Sequence, residues 1–131
     1  MYKLLQNHAL RQNHIKINEL GWEEAIRTIP GVDTHMRCSN YGASKFKAED
    51  IPCYSHVADI AATELDEAFG IHNGQIEEKI TRYAARQHSM SVGDILIAAD
   101  GTLHMCDPEG WTSIGNSRDF ILFPGTHTWE V

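Results

Sequence analysis

The sequence predicts a single α+β domain over residues 1–131, with a small antiparallel sheet built chiefly from a C-terminal β-meander and covered on one face by two or three helices. Three observations carry this. The stretch Ser89–Trp111, "SMSVGDILIAADGTLHMCDPEGW", holds two apolar runs separated by Asp100-Gly101 and ends in Gly-Trp. Upstream, "TELDEAFGIHNG" and "QIEEKITRYAARQH" repeat apolar residues three and four apart. A chain of 131 residues, 42% of them hydrophobic, is also long enough to bury one core without disulfide or metal staples.

In chain order, Tyr2–Leu5 and His14–Asn18 are β-compatible runs. "ELGWEEAIRTIP" predicts a short helix from Trp22 to Ile29, stopped by Pro30 and Gly31. Thr34–Asp50 has no clear periodicity and contains "SNYGASKF", so it reads as an irregular surface segment. "PCYSHVADIAA" reads as a strand over Cys53–Ala61. A helix follows with Thr63 as its cap, Asp66 in the place of a capping-box acid, and Glu64, Asp66 and Glu67 at the positive end of the helix dipole. Leu65, Ala68 and Phe69 share its inner face, and Asn73-Gly74 ends it. Ile76, Ile80, Tyr83 and Ala84 then form a helical stripe, with Glu78 and Arg82 spaced to pair on the opposite side.

The meander comes next. Gly93 and Asp94 turn the chain into a strand over Asp94–Ala99. Asp100-Gly101 predicts a type I′ turn into "TLHMC", because that turn needs positive φ at both central residues. Asp107-Pro108 breaks this strand, since proline lacks the ladder N–H. Gly110 turns the chain back into "WTSI", and "FILF" over Phe120–Phe123 reads as a fourth strand.

The segment "SMSVGDIL…DGTLHMCDPEGW" resembles the C-terminal signature of YodL-like small proteins of phages, plasmids and conjugative elements. The positions that carry the likeness are Ser89, Ser91, Val92, Gly93, Asp94, Gly110 and Trp111, with Leu65, Phe69 and Asn73 upstream. It covers roughly the second half of the chain, and residues 1–50 lie outside it. "HMCDPEGW" departs from the usual, more apolar second strand. The resemblance implies a gene carried by a mobile element and implies no enzyme activity.

Charge and cysteine usage narrow the function. The net charge is −7, which argues against direct binding to nucleic acid or an acidic membrane, since phosphate contacts need clustered Lys and Arg. No apolar run approaches a membrane span, and no secretory leader is read at the N-terminus. Three cysteines, without a dense framework, fit reduced thiols and a cytoplasmic location in a bacterial host. From Ala48 to Glu78 there is no Lys or Arg, while Glu49, Asp50, Asp59, Glu64, Asp66, Glu67, Glu77 and Glu78 supply eight carboxylates. Such a surface either keeps the protein soluble or meets a basic partner, and Glu64, Glu67 and Glu78 are the candidate contact residues.

Eight histidines raise the question of metal. The nearest pattern to a zinc site is His35-x-x-Cys38, fourteen residues, then Cys53-x-x-His56. Cys53 and His56 fall in an expected strand, however, where residues three apart point to opposite faces, so no metal or cofactor is expected. His8, His88 and His127 read as isolated surface residues. A cysteine nucleophile would need a base and an orienting group, and no local signature supplies them. The resulting expectation is a non-enzymatic protein that engages a host protein, in its most concrete form an inhibitor of a bacterial defence system such as an anti-CRISPR or anti-restriction protein. A small-molecule or zinc-binding regulatory module, and a Cys/His hydrolase or transferase, are the alternatives.

Overall fold

The computed structural model describes residues 1–84 and 87–120. Its strands are β1 (Tyr2–Gln6), β2 (Ser55–Ile60), β3 (Ile80–Arg82), β4 (Ile95–Ile97), β5 (Thr102–Cys106) and β6 (Trp111–Asn116). They form one antiparallel sheet in the order β3-β2-β1-β4-β5-β6. The helices are α1 (Ala9–Gln12), α2 (His14–Leu20), α3 (Trp22–Thr28), α4 (Val32–Tyr41) and α5 (Leu65–Asn73). The α+β class and the C-terminal meander β4-β5-β6 are thus present. The expected strand at Phe120–Phe123 falls, beyond its first residue, outside the described residues.

The meander does not stand alone. β1 pairs with β2 on one side and β4 on the other, so the first strand of the chain is central. Its side chains alternate between two cores, as the two-residue strand period requires. Leu5 joins Ile95, Ile97, Leu103 and Met105 beneath Cys38, Ile51 and Tyr54. Leu4 joins Ala58, Ile60 and Leu96 against Ala68, Ile71 and Met90. Helical cover therefore extends beyond the single face expected: α4 with the 3-10 turn Ala48–Cys53 lies over one face and α5 over the other. A third cluster, Ala9, Ile17, Ala25, Ile29 and Val32, ties α1–α4 together.

Three local expectations are corrected. His14–Asn18 is helical (α2), because Ile17 packs into the third cluster while Ile15 stays 64% exposed; the tertiary contact overrides β propensity. Thr34–Asp50 is not a surface loop. It contains α4 and the start of the following 3-10 turn, and its buried face uses Thr34, Cys38 and Asp50, which apolar periodicity does not register. Residues 76–84 are not a helix. A 3-10 turn (Glu77–Lys79) leads into β3, where Ile80 pairs with Ile60 and Arg82 with Ala58, satisfying the open edge of β2. Arg82 consequently pairs with Glu77 rather than Glu78, its Nε and Nη2 lying 2.7 and 2.6 Å from the two carboxylate oxygens.

The turns explain much of the resembling segment. In Ser91-Val92-Gly93-Asp94 the Asp94 N–H bonds the Ser91 carbonyl (3.0 Å), and the Asp94 carboxylate accepts the Ser91 N–H (3.1 Å). Gly93 holds φ +94°, and a Cβ there would lie 3.0 Å from the backbone of Cys38 in α4. Tyr54 Oη donates to the Gly93 carbonyl at 2.6 Å, fixing the turn from the other side. The β4–β5 connection is not type I′, since Asp100 keeps negative φ. The Gly101 N–H bonds the Ala98 carbonyl (2.9 Å) and Ala98 N–H bonds the Thr102 carbonyl (2.9 Å), giving a three-residue loop with Gly101 left-handed at φ +89°.

A half-buried charge pair secures α4. Arg37 Nη2 and Nη1 reach the Asp50 oxygens at 2.7 and 3.0 Å, Arg37 Nε reaches Asp33 at 2.8 Å, and Thr34 Oγ1 donates to Asp50 at 2.6 Å. Burial pushes the Asp50 carboxyl upward, but the Arg37, Thr34 and Lys47 N–H bonds outweigh it and hold the group below its ordinary value.

Two outcomes follow. Gly101→Val costs about 1–3 kcal/mol in a thermal melt, because a β-branched residue is forced to positive φ against Asn116 and Ser117; an unchanged melting temperature would refute the left-handed assignment. Asp50→Asn costs on the order of 3 kcal/mol in urea unfolding, as it leaves Arg37 without its main partner. The folded-state value of Asp50 is depressed, so its contribution is present above the ordinary carboxylate range and lost as pH falls through the depressed value. The variant's stability curve should therefore be flatter than the parent's on the acid side.

Candidate functional site

The lysine- and arginine-free stretch divides into two populations. Asp50 is buried under Arg37. Asp59 accepts from His56 Nε2 at 2.7 Å and from Tyr83 Oη at 2.6 Å. Asp66 accepts the Trp111 indole N–H at 3.0 Å, which joins α5 to β6, with Phe69 and Trp111 edge-to-face at 6.4 Å. Glu77 is held by Arg82. These four carboxylates serve the fold.

The three candidate contact residues are all exposed. Glu64 and Glu78 form no ion pair among the described residues. Glu67 has a second role: its carboxylate accepts the Thr63 N–H at 2.7 Å and lowers its own proton affinity by doing so. The expected Thr63–Asp66 capping box is thus replaced by a bond from Thr63 to Glu67, with Glu64 in the N-cap position. At this end of the sheet Glu64, Glu67 and, from the β4–β5 loop, Asp100 converge on Tyr2. Burial and then their combined charges raise the Tyr2 hydroxyl above its usual value. Carboxylates thus gather around the start of α5, with the N-terminal ammonium 3.1 Å from the Ala62 carbonyl and Lys79 acting on Glu67 as nearby cations; Glu78 stands on the 3-10 turn before β3.

The four candidate metal ligands are not brought together. His35 and Cys38 lie on α4, Cys53 ends a 3-10 turn beside Thr34, and His56 is buried in β2 with Nε2 on Asp59. Among the described residues no group of three His, Cys, Asp or Glu side chains is placed to hold a metal ion. The thiols are protonated at neutral pH. Burial, then the nearby Asp50, pushes Cys38 up to about 11; burial, then Asp94, pushes Cys106 up to about 11; and burial raises Cys53. Such thiols make poor nucleophiles.

Spacing did not reveal one cluster. His8 and His88 are half-buried with ring centroids 5.3 Å apart, and His35 lines the same cavity. Eighty residues separate His8 from His88, so only the docking of β1 beside the β4 turn joins them. Among the described residues no helix is long and apolar enough to cross a membrane.

Purified protein should carry far less than one zinc per chain by elemental analysis, and a chelator should leave its melting temperature unchanged, since a structural zinc site couples strongly to folding. Stoichiometric zinc lost on Cys38→Ser or Cys53→Ser would contradict the separation of these ligands. No family model, curated protein or solved structure matches the chain.

Proposed function

We propose that this chain is a non-enzymatic binding protein of a mobile genetic element that meets a basic surface of a host protein, in the manner of an inhibitor of a bacterial defence system. The observation that supports it is the set of exposed carboxylates Glu64, Glu67 and Asp100 around Tyr2, with Glu78 exposed on the 3-10 turn before β3. A partner that otherwise holds nucleic acid carries lysines and arginines in a groove. Carboxylates on a rigid helix start compete for such a groove without any chemistry. The likeness to YodL-like proteins gives the mobile-element setting, and the protonated thiols favour a binding role over a cysteine nucleophile.

The reading fixes how binding should respond to salt. Long-range attraction between exposed charges is screened over about 10 Å at about 0.1 M salt, so association is fast in dilute salt and weakens as salt rises. The test is Glu64→Lys with Glu78→Lys, neither of which breaks a hydrogen bond of the fold, with Glu67→Lys added as a third change. Circular dichroism first confirms folding. The partner retained by the parent from a bacterial lysate, identified by mass spectrometry, is then titrated at about 50 and about 300 mM salt. Each reversal should weaken binding by roughly five- to tenfold at low salt and less at high salt. Equal binding with the same salt dependence would remove the acidic face as the interface.

A further inference from the structure

At the opposite end of β1 from the carboxylates around Tyr2, the chain holds a cavity of about 450 Å³ lined by His8, Leu10, Arg11, His35, His88, Ser89 and their neighbours. Its floor is a closed polar network. Gln6, fully buried at the end of β1, donates from Nε2 to the His88 carbonyl (2.9 Å) and to Asp94 Oδ2 (3.1 Å), and its Oε1 accepts from His8 Nε2 (3.1 Å). His88 Nδ1 donates to the Ser89 carbonyl at 2.8 Å. Gln6 Nε2 also lies 3.3 Å from His88 Nδ1, and beyond these contacts His8 Nδ1 and His88 Nε2 have no hydrogen-bond partner among the described residues. His35 has no hydrogen-bond partner for its ring among the described residues.

Charge decides what such a cavity accepts. Arg11 at the rim is exposed and forms no ion pair among the described residues, and no carboxylate lines the main chamber. Asp94 lies in a narrow annex below, 3.7 Å from His88 Nδ1, and burial raises its carboxyl well above the usual range, toward the neutral form. The annex also contains Cys38 and Tyr54, both held protonated, and His72 acts on His88 from α5. A cation would meet the Arg11 guanidinium. An anion would meet one guanidinium, imidazoles able to take up protons, and the hydroxyls of Ser89 and Ser91. Burial lowers all three histidines, His8 to about 4, with the His88 charge adding to the effect on His8 and His35. A bound anion would oppose this effect and favour the protonated imidazoles.

We propose that this cavity binds a small phosphomonoester, its phosphate held by Arg11, His8, His35 and His88 and its organic substituent lying against Leu10. The chamber is larger than a phosphate ion and lies within the 300–1,000 Å³ typical of small-molecule sites. This site is independent of the acidic face. Anion binding draws protons onto the imidazoles, so affinity rises as pH falls, with net proton uptake.

The experiment uses the full chain and isothermal titration calorimetry with sulfate, inorganic phosphate and phenyl phosphate. Sulfate does not titrate near neutrality, so its pH dependence reports the protein alone. Expected are sulfate binding about tenfold tighter at about pH 5.5 than at about pH 8, an enthalpy that changes with buffer ionisation, and phenyl phosphate tighter than phosphate. Arg11→Gln and, separately, His35→Gln should each weaken sulfate by about tenfold, with circular dichroism unchanged; neither residue's side chain has a bond in the fold to lose. Absence of sulfate binding at the lower pH, binding unaffected by both variants, or stoichiometric zinc binding abolished by His35→Gln in place of sulfate binding would each overturn the proposal.

Discussion

The fold depends on the two-sided pairing of β1. Its five residues lie between segments fifty and ninety positions away in sequence, and the sheet becomes continuous only when they do. Leu4 and Leu5 then enter opposite cores, each fully buried. Truncating a leucine in such a place typically costs about 2–5 kcal/mol, and these two belong to separate clusters, so losing the strand would open both faces at once. Long-range closure of this kind must precede most of the burial that rewards it.

The same strand sets the polar chemistry. Gln6 follows Leu5 directly and is as deeply buried, so its amide must be satisfied inside the protein. It meets Asp94 and the His88 carbonyl on one side and His8 on the other, which ties the start of the chain to the turn before β4. The bulge opposite Leu4 and Leu5 has a related effect at the other edge. It leaves Val57 outside the β1 register, and the Val57 carbonyl accepts the Tyr83 N–H and the Gln87 side chain, drawing in the segment after β3. Buried polar groups here act as joints between distant segments.

The acidic stretch gains its meaning from the same accounting. Carboxylates that read as one charged run in sequence separate into those that close hydrogen bonds at Arg37, His56, Trp111 and Arg82 and those that face outward. The former are part of the structure. Of the latter, Glu67 also accepts the Thr63 N–H at the start of α5, while Glu64 and Glu78 form no ion pair among the described residues. At the other end of β1 the histidine cavity differs in character: among the described residues its Arg11 forms no ion pair and no carboxylate lines it.

By itself the sequence determined the α+β class, the meander, the helix α5 and the strands around Cys53–Ala61 and Tyr2–Leu5, because alternation, apolar spacing and turn residues act over a few positions. Gly93 and Asp94 were legible as a turn for the same reason, and Glu64, Glu67 and Glu78 as exposed charges. Tertiary structure alone decided the rest. It made 76–84 a turn and an edge strand, since β2 had an edge to satisfy and Ile76, Ile80 and Ala84 fit either period. It made α4 a buried helix, since hydrogen-bonded Thr34 and Asp50 carry no apolar signal. It also separated the His35, Cys38, Cys53 and His56 set that spacing had grouped and brought together His8, His35 and His88 instead. Pairing across eighty residues depends on strand order, and strand order is a property of the closed sheet that no local pattern encodes.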